Sequence, residues 1–395
     1  MNASHVPVRY DPYDHALHAD PYPRYRRMRD DAPVYRNPEQ GWFALTRQAD
    51  VLDAVNDWRT FSSADGITLE GLPPDVQPEM ISMDPPRHDE LRDLVKRVFT
   101  PRRIAELGDQ VGVMARELVA DVDPDDIDLV RDLAVPLPAR VMAEMLGIPT
   151  GDQLAFGDWA DALLRRDTSV PATMVRAREA GAQLSGYLAR VIADRHEHPT
   201  DDLIGVLVRA AGDGEGLSDE ELLGFSRLLL VAGNETTTHL IGNALVALAR
   251  HPGQRELVLA DPDLIGAAVE ETLRYDAPVQ TVVRTTTTDV ERHGVVIPAG
   301  VKVVLVLGAA NRDERAFSDP DDFLGTRPPR SLAHHVAFGH GIHYCIGATL
   351  ARAEAVHAVS AALTRFPRYE LVHDDIEVVH SAAVRGPAAL PVSCG

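Results

Sequence analysis

The sequence predicts a mainly α-helical protein with a minor β component, built as one large domain. Three observations predict it. Helical periodicity with cap signals runs through most of residues 85–275 and peaks in an unbroken pattern from Ser218 to Arg250. Short β-branched runs gather at Val279–Thr287, Val295–Ile297 and Val301–Leu305. No internal repeat and no low-complexity linker divides the chain.

The elements follow in chain order. Ala32–Leu45 and Ala49–Val55 alternate between short strand-like and helix-like patterns. Residues 62–80 hold glycines, prolines and little periodicity, which predicts a long loop of functional type. From Pro85 the pattern turns helical: His88, Arg92 and Lys96 recur every four residues, and Pro101 ends or restarts the run. Pro138–Gly147 has helical spacing with a glycine stop. Thr150–Arg166 and Pro171–His196 are helical, joined by a turn at Asp167–Val170. Ser218 with Glu221 matches a capping box and opens the longest helix. That helix is apolar on most sides around Leu228–Gly233, so it is expected in the centre of the molecule. Helices at Gly253–Leu259 and Pro262–Tyr275 follow. Then come the strands, an irregular Arg312–Ser331 segment, a helix over Ile346–Arg365, and strands and turns over Glu370–Val392.

Composition narrows the classes. Of the 395 residues, 45% are hydrophobic and 25% charged, ordinary for a globular protein. A net charge of −21 argues against broad nucleic-acid binding, because a phosphate backbone would be repelled. The two cysteines, Cys345 and Cys394, argue against a disulfide framework and fit a reducing compartment. Residues 1–10 and 393–395 are expected to be mobile ends, Cys394 among them. The N-terminus lacks the basic and apolar regions of a secretory signal, and no apolar run approaches the ~18 residues of a spanning helix. A cytoplasmic location without membrane association is expected.

The segment from Phe338 to Gly347 carries the chemistry. Gly339, Gly341 and Gly347 let the backbone turn sharply and approach a flat ligand. Cys345 sits just before a helix start near Ile346, where amide N–H groups stabilise a thiolate. A thiolate held so is a suitable axial haem ligand. A lone cysteine is more often a buried structural residue. Here Phe338, Gly339, Gly341, His343, Cys345 and Gly347 together form a pattern remote from chance, and it resembles the haem-binding loop of the cytochrome P450 family. The resemblance implies Cys345 as iron ligand, Phe338 as the residue packed near the sulfur, and His343 as a propionate partner.

Other segments fit the same family, from about residue 10 to the C-terminus. Glu271 and Arg274 lie at i, i+3, by default a surface pair worth a few tenths of a kcal/mol, roughly. They match the family's Glu-x-x-Arg element, which implies a structural pair locked by a later arginine, Arg312 or Arg327. Ala232, Gly233, Asn234, Glu235, Thr236 and Thr237 fall mid-helix. Gly233 costs about 1 kcal/mol against alanine and would let the helix pass flat over a ligand. Thr236 is placed to bond back to the Ala232 carbonyl. The segment resembles the family's oxygen-activation motif, which implies that Thr236 handles the oxygen and Glu235 relays protons. His88 and Arg92, one helical turn apart, and Arg284 match positions that contact haem propionates, as charge-assisted hydrogen bonds would.

The implied fold is a single cytochrome P450 domain over residues 1–395 with a long central helix over haem b. The implied activity is a monooxygenase that inserts one atom of O2 into a hydrophobic small molecule, such as a secondary metabolite. No dinucleotide fingerprint or flavin domain is present, so electrons come from a ferredoxin and its reductase. Lys96, Arg97, Arg102, Arg103 and Arg352 form either their docking patch or a solvated basic face. A peroxygenase, an oxidative coupling enzyme or a non-catalytic haem sensor are the alternatives. By family analogy the substrate pocket takes Ile67, Leu69, Leu164, Leu229, Ala232, Val279, Val282 and Val384, with the turn at Ala382–Val384.

Overall fold

A computed structural model describes residues 8–72, 78–96, 99–164, 171–210 and 217–394. For residues 101, 102, 105, 150, 154, 160, 161, 164, 171 and 210 it describes the backbone alone. In chain order the elements begin with α1 (His15–Ala19), α2 (Tyr22–Asp31), β1 (Val34–Arg36), β2 (Phe43–Leu45), α3 (Gln48–Asn56) and β3 (Phe61–Ser62). Next come α4 (Arg87–Lys96), α5 (Pro101–Ala120), β4 (Ile127–Asp128), α6 (Pro136–Leu146), α7 (Gln153–Leu164), α8 (Pro171–Glu197) and α9 (Leu203–Ala210). Then follow α10 (Asp219–Arg250), α11 (Pro252–Ala260), α12 (Ile265–Tyr275), β5 (Thr281–Thr286), β6 (Val290–Arg292), β7 (Val295–Ile297) and β8 (Lys302–Val306). The chain closes with α13 (Leu307–Ala310), α14 (Pro329–Leu332), α15 (Ala348–Arg365), β9 (Tyr369–Leu371) and β10 (Pro391–Cys394). The mainly helical expectation holds. Among the described residues no helix is long and apolar enough to cross a membrane.

The chain divides into two compact units. The first comprises Met1–Asp84, Glu270–Cys345 and Glu377–Gly386. Its centre is a five-stranded sheet in the order β1-β2-β8-β5-β3. β8 runs antiparallel to β5 and parallel to β2, with Phe43 opposite Val303 and Leu45 opposite Leu305. Strand alternation sends Phe43, Leu45, Val303 and Leu305 into one apolar cluster. Ala44, Val283, Val304 and Val306 enter another, with Tyr10, Tyr25, Tyr35 and Trp42. Both faces are therefore covered.

The second unit comprises Pro85–Val269, Ile346–Ile376 and Pro387–Gly395 and holds most of the helices. α10 is its core. Ser218 Oγ accepts from the Glu221 amide at 3.2 Å, and Glu221 Oε2 accepts from the Ser218 amide at 2.9 Å, which completes the expected capping box. The helix runs for 32 residues, ~48 Å. Every residue from Thr237 to Leu245 is buried, polar Thr237, Thr238, His239 and Asn243 included, whereas in the apolar Leu228–Gly233 stretch only Leu230 is buried and Ala232 is exposed. α6 stops at Gly147, whose φ of +69° suits glycine and lets the Ile148 amide reach Ala143 O.

Several expectations are corrected. Cys394 is no mobile tail: it ends β10, opposite Tyr369 in a three-stranded sheet ordered β4-β10-β9. Tyr10 is buried in the aromatic cluster, so the chain is anchored from there. α15 begins at Ala348, two residues after Ile346, because Gly347 takes the N-cap. β5 starts at Thr281 rather than Val279. The Gln280 amide instead donates to Ala383 O, and Val279 bridges Val384. α9 has no counterpart in the sequence reading. The turn at Asp167–Val170 and part of the 62–80 loop, residues 73–77, lie outside the described residues.

Candidate active site

The cysteine loop closes on itself. The Cys345 amide donates to Phe338 O at 2.9 Å, and the Gly339 amide to Val336 O at 2.9 Å. Gly339 and Gly341 both have φ of +67°, a conformation that side chains resist. At Gly341 the requirement is double. A Cβ there would lie 2.9 Å from Val55 O, where the loop seats on the end of α3. His340 Nδ1 and Asn56 Oδ1, 2.7 Å apart, pin the same contact. Cys345 is half-buried and not joined to Cys394. Phe338 packs edge-on to Tyr344, with ring centroids 6.4 Å apart. A thiol is thus presented at a fixed place on a loop whose glycines keep bulk away.

Beneath the loop lies a buried ion cluster. Glu271 and Arg274 on α12 are both fully inaccessible. Arg274 Nε and Nη2 donate to the two Glu271 oxygens at 2.8 and 2.7 Å. The structure decides the third partner: Arg327 Nε donates to both oxygens at 3.0 Å. The remaining guanidinium protons meet main-chain carbonyls, including Asn311, Pro320 and Ser318. Arg312 instead donates to Tyr275 O at 2.7 Å and lies between the rings of Tyr22 and Tyr275. Asn311 Oδ1 accepts from the Val336 amide at 2.7 Å, tying this cluster to the start of the cysteine loop.

Arg284 on β5 is 6% exposed. Its Nη1 donates to Val283 O at 2.8 Å. Burial pulls its pKa down to about 10, against the opposing pull of Asp84. A guanidinium buried this way is matched by an anion, and a haem propionate fits that demand. His343 Nε2 lies 3.2 Å from Ser63 Oγ, and Asp84 accepts from the Ser63 amide at 3.1 Å. The first unit therefore assembles thiol, guanidinium and imidazole, a donor set that suits haem. Ser63, Asp84 and Asn56 were not found from sequence, since no local signal links them to residues more than 200 positions away.

In the second unit, α4 carries His88 and Arg92 one turn apart as expected. His88 is fully buried, with Nδ1 2.9 Å from Asp89 Oδ1, and Arg92 is half-buried. α10 carries the other motif. Thr236 Oγ1 donates to Ala232 O at 2.7 Å, the back-bond its position predicts. Glu235 is half-buried beside it. The missing side chain of Gly233 points at Met142 of α6, where a Cβ would sit 3.3 Å from the sulfur. Close helix packing is thus one reason for glycine there.

Of the expected substrate contacts, Val279, Val282 and Val384 gather in the first unit. The 379–386 turn backs onto β5, and Thr281 Oγ1 donates to Ala382 O at 2.7 Å. Ile67 lies alongside, its carbonyl accepting from the Val283 amide at 3.0 Å. Leu69 instead packs on the aromatic cluster. On α10 Leu229 is half-buried and Ala232 exposed, and the Leu164 side chain lies outside the described residues. In the basic patch, Lys96 pairs with Asp93 at 2.9 Å, Arg103 donates to Asp201 O, and Arg352 donates to Ala348 O at 3.4 Å. Arg97 and the Arg102 side chain lie outside the described residues.

Comparison with known proteins gives the same answer. Residues 168–378 match the family model described as "Cytochrome P450". "Putative cytochrome P450 123" of Mycobacterium tuberculosis is 42% identical over 389 residues, covering 97% of this chain and 96% of that one. "Erythromycin C-12 hydroxylase" of Saccharopolyspora erythraea is 41% identical over 373 residues, covering 93% of each. The solved structure of cytochrome P450 CYP109Q5 from Chondromyces apiculatus superposes with a TM-score of 0.89 at 36% identity, covering 98% of both chains. With the glycine-rich cysteine loop, the Glu271–Arg274–Arg327 cluster and the α10 motif in place, the chain belongs to the cytochrome P450 family and is a haem-iron monooxygenase.

Proposed function

We propose that this protein inserts one atom of O2 into a hydrophobic secondary metabolite, using haem b and electrons from a ferredoxin and its reductase. Residues 1–395 form one P450 domain, and the enzyme works in the cytoplasm. The observation that carries this reading is the Cys345 loop, closed by the Cys345–Phe338 bond and seated on α3 through Gly341. Haem bound by a thiolate activates O2 for insertion into an unactivated bond. Cys345 supplies the thiolate, and Phe338 shields the sulfur. Arg284, His343, His88 and Arg92 hold the propionates. Thr236 offers a hydroxyl to the oxygen, and Glu235 passes protons to it. Ala232 presents a small side chain of α10 to the cofactor while Gly233 beside it lets α6 pack close, and Gly339 and Gly347 let the loop backbone approach it.

Ile67, Leu229, Val279, Val282 and Val384 are apolar and only half-buried, which favours a hydrophobic substrate. The relative named erythromycin C-12 hydroxylase supports a secondary metabolite as its class. Lys96, Arg103 and Arg352 are the cations offered to an acidic ferredoxin.

The test is spectral. Reduced protein under carbon monoxide shows the red-shifted Soret band of thiolate ligation, and Cys345→Ser abolishes it. Protein that stays colourless after haem supply sinks the reading. Efficient turnover with hydrogen peroxide alone, without dependence on reductase, would assign the chain to the peroxygenases instead. A library screen for haem spin-state shifts then identifies the substrate.

A further inference from the structure

Six consecutive residues of α10, Asn234 to His239, concentrate an unmet polar demand. Asn234 Oδ1, Thr238 Oγ1 and both ring nitrogens of His239 are buried with no hydrogen-bond partner among the described residues. His239 is 5% exposed and Asn234 1%. Two other hydroxyls of this helix are met by its own backbone: Ser226 Oγ donates to Leu222 O at 2.8 Å and Thr236 Oγ1 to Ala232 O at 2.7 Å. Buried polar groups in native proteins are paired with protein or with ordered water. Four unmet atoms within two turns therefore mark a place built to hold water.

Helix geometry puts part of that demand, His239, on the face of the reactive pair. His239 lies at i+4 from Glu235 and at i+3 from Thr236, so the three share a face. Asn234 and Thr238 stand one turn apart on the neighbouring stripe. His239 suits the ordering of water for a chemical reason. Burial alone pulls its pKa down to about 4, so the ring is neutral at physiological pH. A neutral imidazole has one N–H and one bare nitrogen, a donor at one end and an acceptor at the other. It can stand inside a directed line of hydrogen bonds, whereas a charged ring would donate at both ends and break it. A leucine there would pack as well but orient nothing.

We propose that His239 is a positioning residue for the oxygenase: its ring, with Asn234 and Thr238, orders internal water that feeds protons to the Glu235–Thr236 pair. This rests on the reading of Thr236 and Glu235 as the oxygen-handling residues. His239 itself neither gains nor loses a proton; the waters it orients carry them.

The experiment compares holoenzyme His239→Leu, His239→Asn and Thr236→Ala with the parent. Each is driven by NADPH through a surrogate ferredoxin and reductase, without added substrate, so that consumed oxygen leaves as peroxide or water. Two quantities are read: peroxide released per NADPH, with its solvent isotope effect, and ordered water around residue 239 in high-resolution crystal structures. His239→Leu is expected to lose the water and raise the peroxide share several-fold. His239→Asn, which keeps a donor and an acceptor, restores most of both. If Thr236→Ala leaves the peroxide share unchanged, the reading of Thr236 falls and this inference with it. If Thr236→Ala raises it and His239→Leu does not, the inference on His239 alone is overturned. Ring nitrogens bonded to protein atoms rather than water in the parent crystal structure overturn it too. Should His239→Leu fail to take up haem, Thr238→Val, which removes one hydroxyl at constant shape, is read in its place with the same expected rise.

Discussion

Glu271 holds two guanidinium groups away from water, and its worth is best judged by removing its charge. A buried ion cluster contributes little net stability while intact, but breaking it leaves a charge unpaired. Glu271→Gln is therefore expected to cost about 3–5 kcal/mol in urea unfolding. Arg26→Ala, which removes an exposed pair with Asp321, costs under ~1 kcal/mol. Equal losses in the two would mean the cluster is not sealed from solvent. Close packing at Gly242 makes a second contrast. A Cβ there would meet the Pro387 ring at 2.6 Å, and a proline ring cannot swing aside. Gly242→Ala should cost about 1–3 kcal/mol by thermal or urea unfolding. Gly253→Ala, with open space around it, should be neutral or stabilising by up to ~1 kcal/mol. At this scale the sequence was legible where chemistry is encoded in spacing. Cys345, Glu271, Arg274 and the Thr236 back-bond are all fixed by neighbours within a few residues. Arg327 could not be told from Arg312, because the choice is made 56 positions from Glu271.

The long helix shows what an element owes to its own sequence. Its start is set by Ser218 and Glu221, whose reciprocal bonds satisfy two backbone amides. Ser218→Ala should cost about 0.5–2 kcal/mol. The loss should appear as faster amide exchange in the first turn of α10, while the Thr237–Leu245 stretch stays protected. Uniform loss of protection along the helix would refute a local capping role. Strands behave differently. β5 was expected from Val279, yet its first two residues are taken by the 379–386 turn, about a hundred positions later. β-branched residues announce a strand but not its partner, and the partner decides where pairing begins. The same holds for Cys394, drawn into β10 by pairing with β9.

For the whole molecule, two buried groups shape the response to pH. His239 has a folded pKa of about 4 against 6.5 for a free histidine, because burial disfavours its charge. The stability of its neutral form is complete above pH 6.5 and lost as pH falls towards 4. Glu354 on α15 is 3% exposed, and burial raises its pKa from 4.5 to about 8. Its protonated form contributes fully below pH 4.5, and that contribution is lost as pH rises through 8. Each ramp has a slope of about 1.4 kcal/mol per pH unit. His239→Asn should flatten the acid arm of the stability profile and Glu354→Gln the alkaline arm, measured by urea unfolding across this range. Unchanged arms would show that water already reaches these groups. Neither group was singled out from sequence, because burial is a property of the assembled helices. The sequence by itself determined the fold class, the caps of α10, the family and the motifs proposed to carry its chemistry, since these lie in short stretches governed by covalent spacing and local hydrogen bonds. Only the tertiary structure decided that Arg327 completes the Glu271 cluster, that Leu69 turns to the aromatic core while Val279 meets Val384, and that His239 is sealed in neutral. Those outcomes depend on partners distant in the chain, and spacing along a sequence does not encode which distant surfaces exclude water from one another.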